Sequence, residues 1–192
     1  MAKAKPVADL VLSASVAENA EKILHVRLKE FYQWEQYVDE PYEVANLHNL
    51  RIAAKRLRYT LEIFAEALPE DAALLLTEVE QIQEELGNLH DTDVLIALLR
   101  LRLGSLDGGT GYEEALLSST RKPGKSMFSI SPALVSQLLA PHAAPTAVER
   151  QGLEILLQKL QQKRKAFYLT FREHWYQLKG HDFYHQVLQL NG

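Results

Sequence analysis

The sequence predicts an all-α fold: an antiparallel bundle of about four long helices, with a long irregular connection between the third and the fourth. Ala, Leu, Glu, Gln and Lys dominate the chain, and alternating runs of β-branched residues are missing. Apolar residues recur at steps of three and four over long segments. By contrast, residues 104–146 are rich in Gly, Ser, Thr and Pro. We therefore expect a single domain over residues 1–192, with residues 104–146 as an insertion of loops and short helices.

Two helices are predicted in the first part of the chain. The first starts near Val7 or Ala17 and extends to Val38, and its apolar side is expected to hold Ile23, Val26, Phe31, Trp34 and Val38. Pro41 cannot continue it. The second covers about residues 43–68, and its apolar positions follow without a break: Leu47, Leu50, Ala54, Leu57, Leu61, Phe64 and Leu68.

A third helix is predicted over about residues 72–103, with one stripe of positions facing the core: Leu75, Val79, Ile82, Leu86, Leu89, Asp93, Ile96 and Leu103. The last long helix covers about residues 146–179. Thr146 and Glu149 have the spacing of a capping box at its start. Gly180 ends it, and HDFYHQVLQL is expected to add a terminal turn.

Composition excludes several classes of function. With 21 Lys and Arg against 25 Asp and Glu, the net charge is −4, so a generally basic nucleic-acid binder is not expected and an anion site must come from local clustering. The chain has no cysteine, which excludes disulfides and thiol chemistry. The N-terminal segment is interpreted as a helix start and not as an export signal, because Asp9 interrupts its apolar run. We expect a cytoplasmic protein without membrane contact.

A line of polar residues lies beside the apolar stripe of the second helix. We name its first four members the basic row: His48, Arg51, Lys55 and Arg58. Like charges at this spacing repel by about 0.2–0.5 kcal/mol per pair, so acids on neighbouring helices or an external polyanion must offset the repulsion. His48 alone is interpreted more readily as a hydrogen-bonded packing residue than as a ligand.

Asp93 occupies a position on the core stripe of the third helix. A buried carboxylate without a partner costs several kcal/mol, so we expect a cation beside it. In a hairpin of the second and third helices, the nearest cations are those of the basic row. Such a clamp would fix the register of the two helices, and it would aim Arg51 or Arg58 toward a bound anion.

The segment LHNLRIAAKRLRYTLEIF, followed later by LGNLHDTDVLIALL, resembles the CHAD family, the conserved-histidine α-helical domain. The residues of the first segment that match the family pattern are His48, Arg51, Lys55, Arg56, Leu57 and Arg58. Those of the second segment are Leu86, Gly87, His90 and Asp91. The two motifs and their spacing cover roughly residues 47–99. The resemblance implies an all-helical domain whose basic surface binds inorganic polyphosphate.

The resemblance also implies which residues form the site. The expected phosphate contacts are His48, Arg51, Lys55, Arg56, Arg58 and His90, with Asp91 and Asp93 as orienting residues. The family often has Arg at the position of His90. CHAD domains usually contain two related helical halves, whereas this chain carries one clear copy of the motif pair, so a homodimer would supply the second half.

The fourth helix is expected to add a second basic wall, formed by Lys159, Lys163, Arg164 and Arg172. The expected partners are polyphosphate or phosphate and sulfate anions, and Arg and Lys suit such ligands in different ways. The cations of the loop TRKPGK are interpreted as a solvated loop.

Other chemistry has weaker support in the sequence. His181 and His185 are four residues apart, but no second ligand pair accompanies them. No phosphate-binding glycine loop, dinucleotide fingerprint or recognisable nucleophile occurs. We expect no metal, no cofactor and no catalytic residue. Two alternatives stay open: an enzyme of phosphate metabolism that uses His48 or His90, and a non-catalytic interaction module whose cations are balanced by its own acids.

Overall fold

Helices form most of the chain in the computed structural model, which describes residues 3–8, 10–104 and 145–190. The helices are α1 (Val16–Tyr32), α2 (Val44–Ile63), α3 (Ala72–Arg102), α4 (Ala147–Gly180) and α5 (Phe183–Leu188). Short 3-10 turns follow α1 at Glu35–Tyr37 and α2 at Ala65–Ala67. The described ranges contain no strand. The predicted all-α fold is confirmed.

The ends of the helices have local causes. A capping box starts α1: Ser15 Oγ accepts from the Glu18 amide at 3.2 Å, and Glu18 Oε2 accepts from the Ser15 amide at 2.8 Å. The hydrogen bonds that the Ser15 amide and hydroxyl donate to the Glu18 carboxylate hold the pKa of Glu18 below its usual value. At the other end α1 stops at Tyr32, earlier than the predicted Val38, because the chain tightens into a 3-10 turn. For the same reason α2 ends at Ile63 and not at Leu68.

The later helices begin and end close to their predicted bounds. Gly104 follows α3 with a φ of 81°, the left-handed conformation that glycine adopts without strain after a helix. The capping box before α4 is confirmed, since Glu149 Oε2 accepts from the Thr146 amide at 2.8 Å and Thr146 Oγ1 accepts from the Glu149 amide at 3.3 Å. The predicted terminal turn is α5. Most of the predicted insertion, residues 105–144, lies outside the described residues.

The chain divides into two compact units, Met1–Gly87 with Tyr168–Gly192, and Asn88–Phe167. The boundary thus falls within α3 and within α4. A single domain over residues 1–192 stays a prediction.

Aromatic side chains form the centre of the first unit. Trp175 on α4 is 1% exposed, and its ring centroid lies 5.0 Å from that of Phe31 on α1 and 6.3 Å from that of Phe171. Tyr168 donates its hydroxyl to the Val38 carbonyl at 2.8 Å, which fastens α4 to the segment after α1. Burial of large rings contributes much of the stability of such a core.

The predicted core stripes are confirmed for α2 and α3 and partly wrong for α1. The buried apolar residues of the α2 stripe are Leu47, Leu50, Ala54, Leu57, Leu61 and Leu68, while Phe64 is half-buried. On α3 every predicted stripe position is buried except Leu103. On α1 the buried apolar side is Ala20, Leu24, Leu28 and Phe31, whereas the predicted Ile23 and Val26 are half-buried.

The second unit contains the C-terminal part of α3 and the N-terminal part of α4. Its buried apolar residues on α3 are Leu89, Val94, Ile96, Ala97 and Leu98. Arg150, near the start of α4, donates to the Leu103 carbonyl at 3.4 Å, and Arg164 pairs with Asp93. The two segments are therefore antiparallel. In the described part of the chain, no helix combines the length and the apolar character that a membrane span requires.

Candidate functional site

The members of the basic row lie on one side of α2 and differ in how deeply they are buried. His48 is only 7% exposed, Arg51 and Arg58 are half-buried, and Lys55 is exposed. Arg56, further around the helix, is half-buried and has an interaction partner of its own. The predicted position of the row beside the core stripe is confirmed, because the stripe and His48 are buried while the following members reach the surface.

Arg51 is the cation of the row with the least internal compensation. Its Nε atom is buried and has no hydrogen-bond partner among the described residues, and no carboxylate there pairs with its guanidinium. Gly87 on α3 lies beside it, because a Cβ atom built on Gly87 would be 3.8 Å from Arg51 Nε. The absence of a side chain at Gly87 therefore leaves room next to this guanidinium.

Lys55 and Arg58 each place their charged group over the ring of Tyr59. Lys55 Nζ lies 5.4 Å and Arg58 Cζ 4.8 Å from the ring centroid, both within the range of cation–π attraction. Arg58 Nε also lies 3.3 Å from Glu62 Oε1 in an ion pair that falls short of hydrogen-bond geometry. Lys55 has no carboxylate partner within the described residues.

The two motif histidines are buried. His48 is 7% exposed and His90 5% exposed, and each has an interaction partner in the chain. His90 and the exposed Asp91 belong to the second unit, whereas the basic row belongs to the first. Buried imidazoles offer little surface to an anion, so these positions favour a positioning role. Direct phosphate contact by His48 or His90, and an orienting role for Asp91, stay predictions.

Asp93 has the expected cation beside it, but the cation comes from α4. Arg164 Nε donates to Asp93 Oδ1, and Arg164 Nη2 donates to Asp93 Oδ2 at 3.4 Å. Burial raises the pKa of Asp93, and the hydrogen bonds and charge of Arg164 act in the opposite direction. The predicted clamp with the basic row is therefore wrong in its partner. Arg164, predicted to contact phosphate, is engaged with Asp93.

Arg172 also has an internal partner. Its Nε donates to Asp39 Oδ1 at 2.6 Å, and the Tyr176 hydroxyl donates to Asp39 Oδ2 at 2.6 Å. These two hydrogen bonds hold the pKa of Asp39 below its usual value, and the bond to Asp39 raises the pKa of Arg172. The sequence segment DEPYE indicated only a helix stop. The ion pair of Asp39 was not predicted, because the sequence around Asp39 gives no indication of a partner on α4.

The remaining predicted cations of α4, Lys159 and Lys163, are exposed in the second unit. Lys163 Nζ lies 5.1 Å from the ring centroid of Phe167. Their predicted role as a second basic wall stays a prediction.

A set of imidazole–carboxylate pairs links α3 to the end of α4 in the first unit. His174 Nδ1 is hydrogen-bonded to Glu85 Oε1, Gln81 Nε2 lies 3.0 Å from the same ring nitrogen, and His181 Nδ1 lies 3.8 Å from Glu78 Oε1. Burial raises the pKa of Glu85, and the hydrogen bond from His174 acts in the opposite direction. Across the described ranges, no group of three or more His, Asp or Glu side chains could hold a metal ion.

These observations define a class: an all-α protein whose second helix carries a basic row beside a buried apolar stripe, with no carboxylate partner for Arg51 or Lys55 among the described residues. A model of the CHAD domain matches residues 2–100, which is more than half of the chain. The chain therefore belongs to the CHAD domain family, a family linked in general to polyphosphate binding. The match includes α1, α2 and almost all of α3 and ends before α4. No curated protein and no solved structure matches the chain.

Proposed function

We propose that the chain binds inorganic polyphosphate through the basic row of α2. The observation that carries this proposal is the lack of a carboxylate partner for two cations, Arg51 and Lys55, among the described residues. The two residues are one helical turn apart. A half-buried guanidinium without a counter-charge is costly, and an anion from outside would remove that cost. Polyphosphate offers the repeated charges that a row of cations can bind together.

Family membership supports the class of ligand. The motif that carries the row lies within the matched residues 2–100, and the family is linked to polyphosphate in general. Arg suits a phosphate group because its guanidinium donates two parallel hydrogen bonds, and Lys contributes a point charge. We place the principal contacts at Arg51, Lys55 and Arg58. Lys159 and Lys163 are candidates for further contacts.

The decisive experiment is a titration of the full chain with long-chain polyphosphate, comparing wild type with the double variant Arg51→Gln, Lys55→Gln. Loss of two charge-assisted contacts should weaken binding about 100-fold. The matched control is Lys29→Gln, Arg150→Gln, which removes the same charge from α1 and α4 and should leave affinity within about twofold. Equal losses in both double variants, or no binding by wild type at low salt, would overturn the proposal.

An interaction module is the second candidate, and specific ion pairs favour it. Arg58, Arg164 and Arg172 are each paired with a carboxylate of the same chain. If those pairs account for the basic character of the helices, the protein should bind no phosphate polymer while remaining folded. The enzyme alternative predicts turnover of polyphosphate or triphosphate that is lost in His48→Ala with the fold retained.

A further inference from the structure

An exposed aromatic ring interrupts the positive charge of α2. Tyr59 is 42% exposed, with Lys55 Nζ at 5.4 Å and Arg58 Cζ at 4.8 Å from its ring centroid. Cation–π attraction holds both charged groups next to the ring. A ligand that approaches these two cations therefore meets an aromatic surface in the same place.

Around the axis of α2, Lys55 and Arg58 are both attached on the same side of Tyr59. They precede Tyr59 by one and four residues, and at about 100° per residue both fall on the same side of it around the helix axis. Ile63, four residues after Tyr59, falls on the other side and is 74% exposed. Tyr59 and Ile63 thus form an exposed apolar platform, and the charged groups of Lys55 and Arg58 lie over its Tyr59 ring.

This arrangement matches a ligand with a charged part and a flat apolar part. A surface Tyr beside an exposed Ile gains from being covered by a planar ring, since stacking a base on an aromatic side chain is sequence-tolerant and favourable. Inorganic polyphosphate has no such group and would leave the platform exposed. The charge complementarity and the platform together favour a nucleotide.

Building on the proposed phosphate-binding function, we propose that the same row also takes nucleoside triphosphates. The phosphates contact Lys55 and Arg58, and the base stacks on Tyr59 against Ile63. Arg51, one turn before Lys55, extends the row for longer phosphate chains. The triphosphate end provides the charge, and the base adds affinity that inorganic anions lack.

The test compares ATP with ribose 5-triphosphate, which has the same phosphates and no base, by calorimetric titration of the full chain without magnesium. Wild type should bind ATP about tenfold more tightly. The variant Tyr59→Leu should lose this advantage, and Tyr59→Phe, which keeps the ring, should retain it. Tyr42→Leu is the control, because Tyr42 is an exposed tyrosine just before α2, at 87% exposure.

The outcomes separate this inference from the proposed function. Equal binding of the two triphosphates, or an ATP advantage that survives Tyr59→Leu, overturns nucleotide recognition. If tripolyphosphate binds to wild type in that case, the proposed function stands and only the stacking fails. If tripolyphosphate does not bind either, both fail. Circular dichroism of each variant tests whether it is folded. A native spectrum for Tyr59→Leu, together with retained ATP binding by Tyr59→Phe, excludes misfolding as the cause of a lost ATP advantage.

Discussion

Arg51 and Gly87 come from different motifs and meet on neighbouring helices. Arg51 lies on α2 in the segment HNLR, and Gly87 lies on α3 in the segment LGNLHD. Gly within a helix costs about 1 kcal/mol relative to Ala. A Cβ atom built on Gly87 would lie 3.8 Å from Arg51 Nε, an ordinary van der Waals contact, so Ala would fit and only a larger side chain would compete with the guanidinium for space.

The variant Gly87→Leu should therefore weaken polyphosphate binding about tenfold, by displacing the Arg51 guanidinium. Gly87→Ala is the control. Its methyl group would make an ordinary van der Waals contact, so binding should persist while the free energy of unfolding rises by up to about 1 kcal/mol. Titration and urea denaturation measure the two effects. Unchanged binding in Gly87→Leu would remove Arg51 from the site.

The pair of Asp93 and Arg164 is a buried ion pair between α3 and α4, with side chains 7% and 12% exposed. Asp93→Ala should lower the free energy of unfolding by about 3–5 kcal/mol, because it leaves a buried guanidinium without its carboxylate. The double variant Asp93→Leu, Arg164→Met should recover most of that loss, since apolar residues of similar volume avoid both desolvation costs. Urea denaturation of the variants checks this, and a double variant no more stable than Asp93→Ala contradicts it.

The sequence predicts the existence of this pair but not its partner. A polar residue on a core stripe signals a buried charge, and that signal is local. The partner is 71 residues away, on a helix whose register against α3 depends on packing that no local pattern records. The cations of α2 were closer in sequence, and that proximity gave the wrong assignment. Asp39 with Arg172, 133 residues apart, escaped prediction for the same reason.

At the scale of elements, long regular stripes predict well and helix ends predict poorly. The stripes of α2 and α3 are confirmed since each has one unbroken set of apolar positions. On α1 apolar residues occupy two adjacent sides, and Leu24, Leu28 and Phe31 are buried in preference to Ile23 and Val26. The 3-10 turns after α1 and α2 continue the apolar spacing for a few residues, which explains why both helices were predicted too long.

The cap of α1 gives a prediction at this scale. Ser15→Ala removes the hydroxyl that accepts from the Glu18 amide at 3.2 Å, so the free energy of unfolding should fall by about 1 kcal/mol. Ser13→Ala, two residues earlier and outside the helix, is the control and should change stability by no more than about 0.5 kcal/mol. Thermal denaturation measures both. Equal effects would show that the cap contributes nothing specific.

The contact of α3 with the end of α4 gives a pH-dependent prediction. Burial raises the pKa of Glu85 above the ordinary value of 4.5, against the opposing effect of His174 and with a small contribution from Glu84. The folded protein thus holds a proton at pH values at which the unfolded chain has released it. Its stability should fall as the pH rises from 4.5 through the raised pKa.

Glu85→Gln should remove that loss, because Gln keeps an acceptor for His174 and carries no charge. Urea denaturation at a series of pH values compares this variant with wild type and with the control Glu80→Gln, whose side chain is exposed on the same helix. The stability of wild type relative to Glu85→Gln should decrease across the window and stay constant above it. A difference that is independent of pH would contradict the assignment to Glu85.

At the scale of the whole molecule, a chain with a net charge of −4 is proposed to bind a polyanion. Its overall charge repels such a ligand at long range, so the attraction must come from cations close to the ligand. Interactions between exposed charges beyond about 8–10 Å are largely screened at physiological ionic strength, whereas contacts at shorter range are screened less. Binding should then depend on few phosphate contacts, and duplex DNA should bind much more weakly than polyphosphate.

Salt dependence gives the last prediction. The logarithm of the association constant for polyphosphate should fall linearly with the logarithm of the salt concentration, since bound phosphates release their counterions. Arg51→Gln and Lys55→Gln should each make that slope less steep by about one, whereas Lys29→Gln and Arg150→Gln should leave it unchanged. Titrations at four or more salt concentrations, with duplex DNA and RNA beside polyphosphate, measure these slopes. If the row variants lose affinity at an unchanged slope, their effect is structural, and these side chains do not contact phosphate.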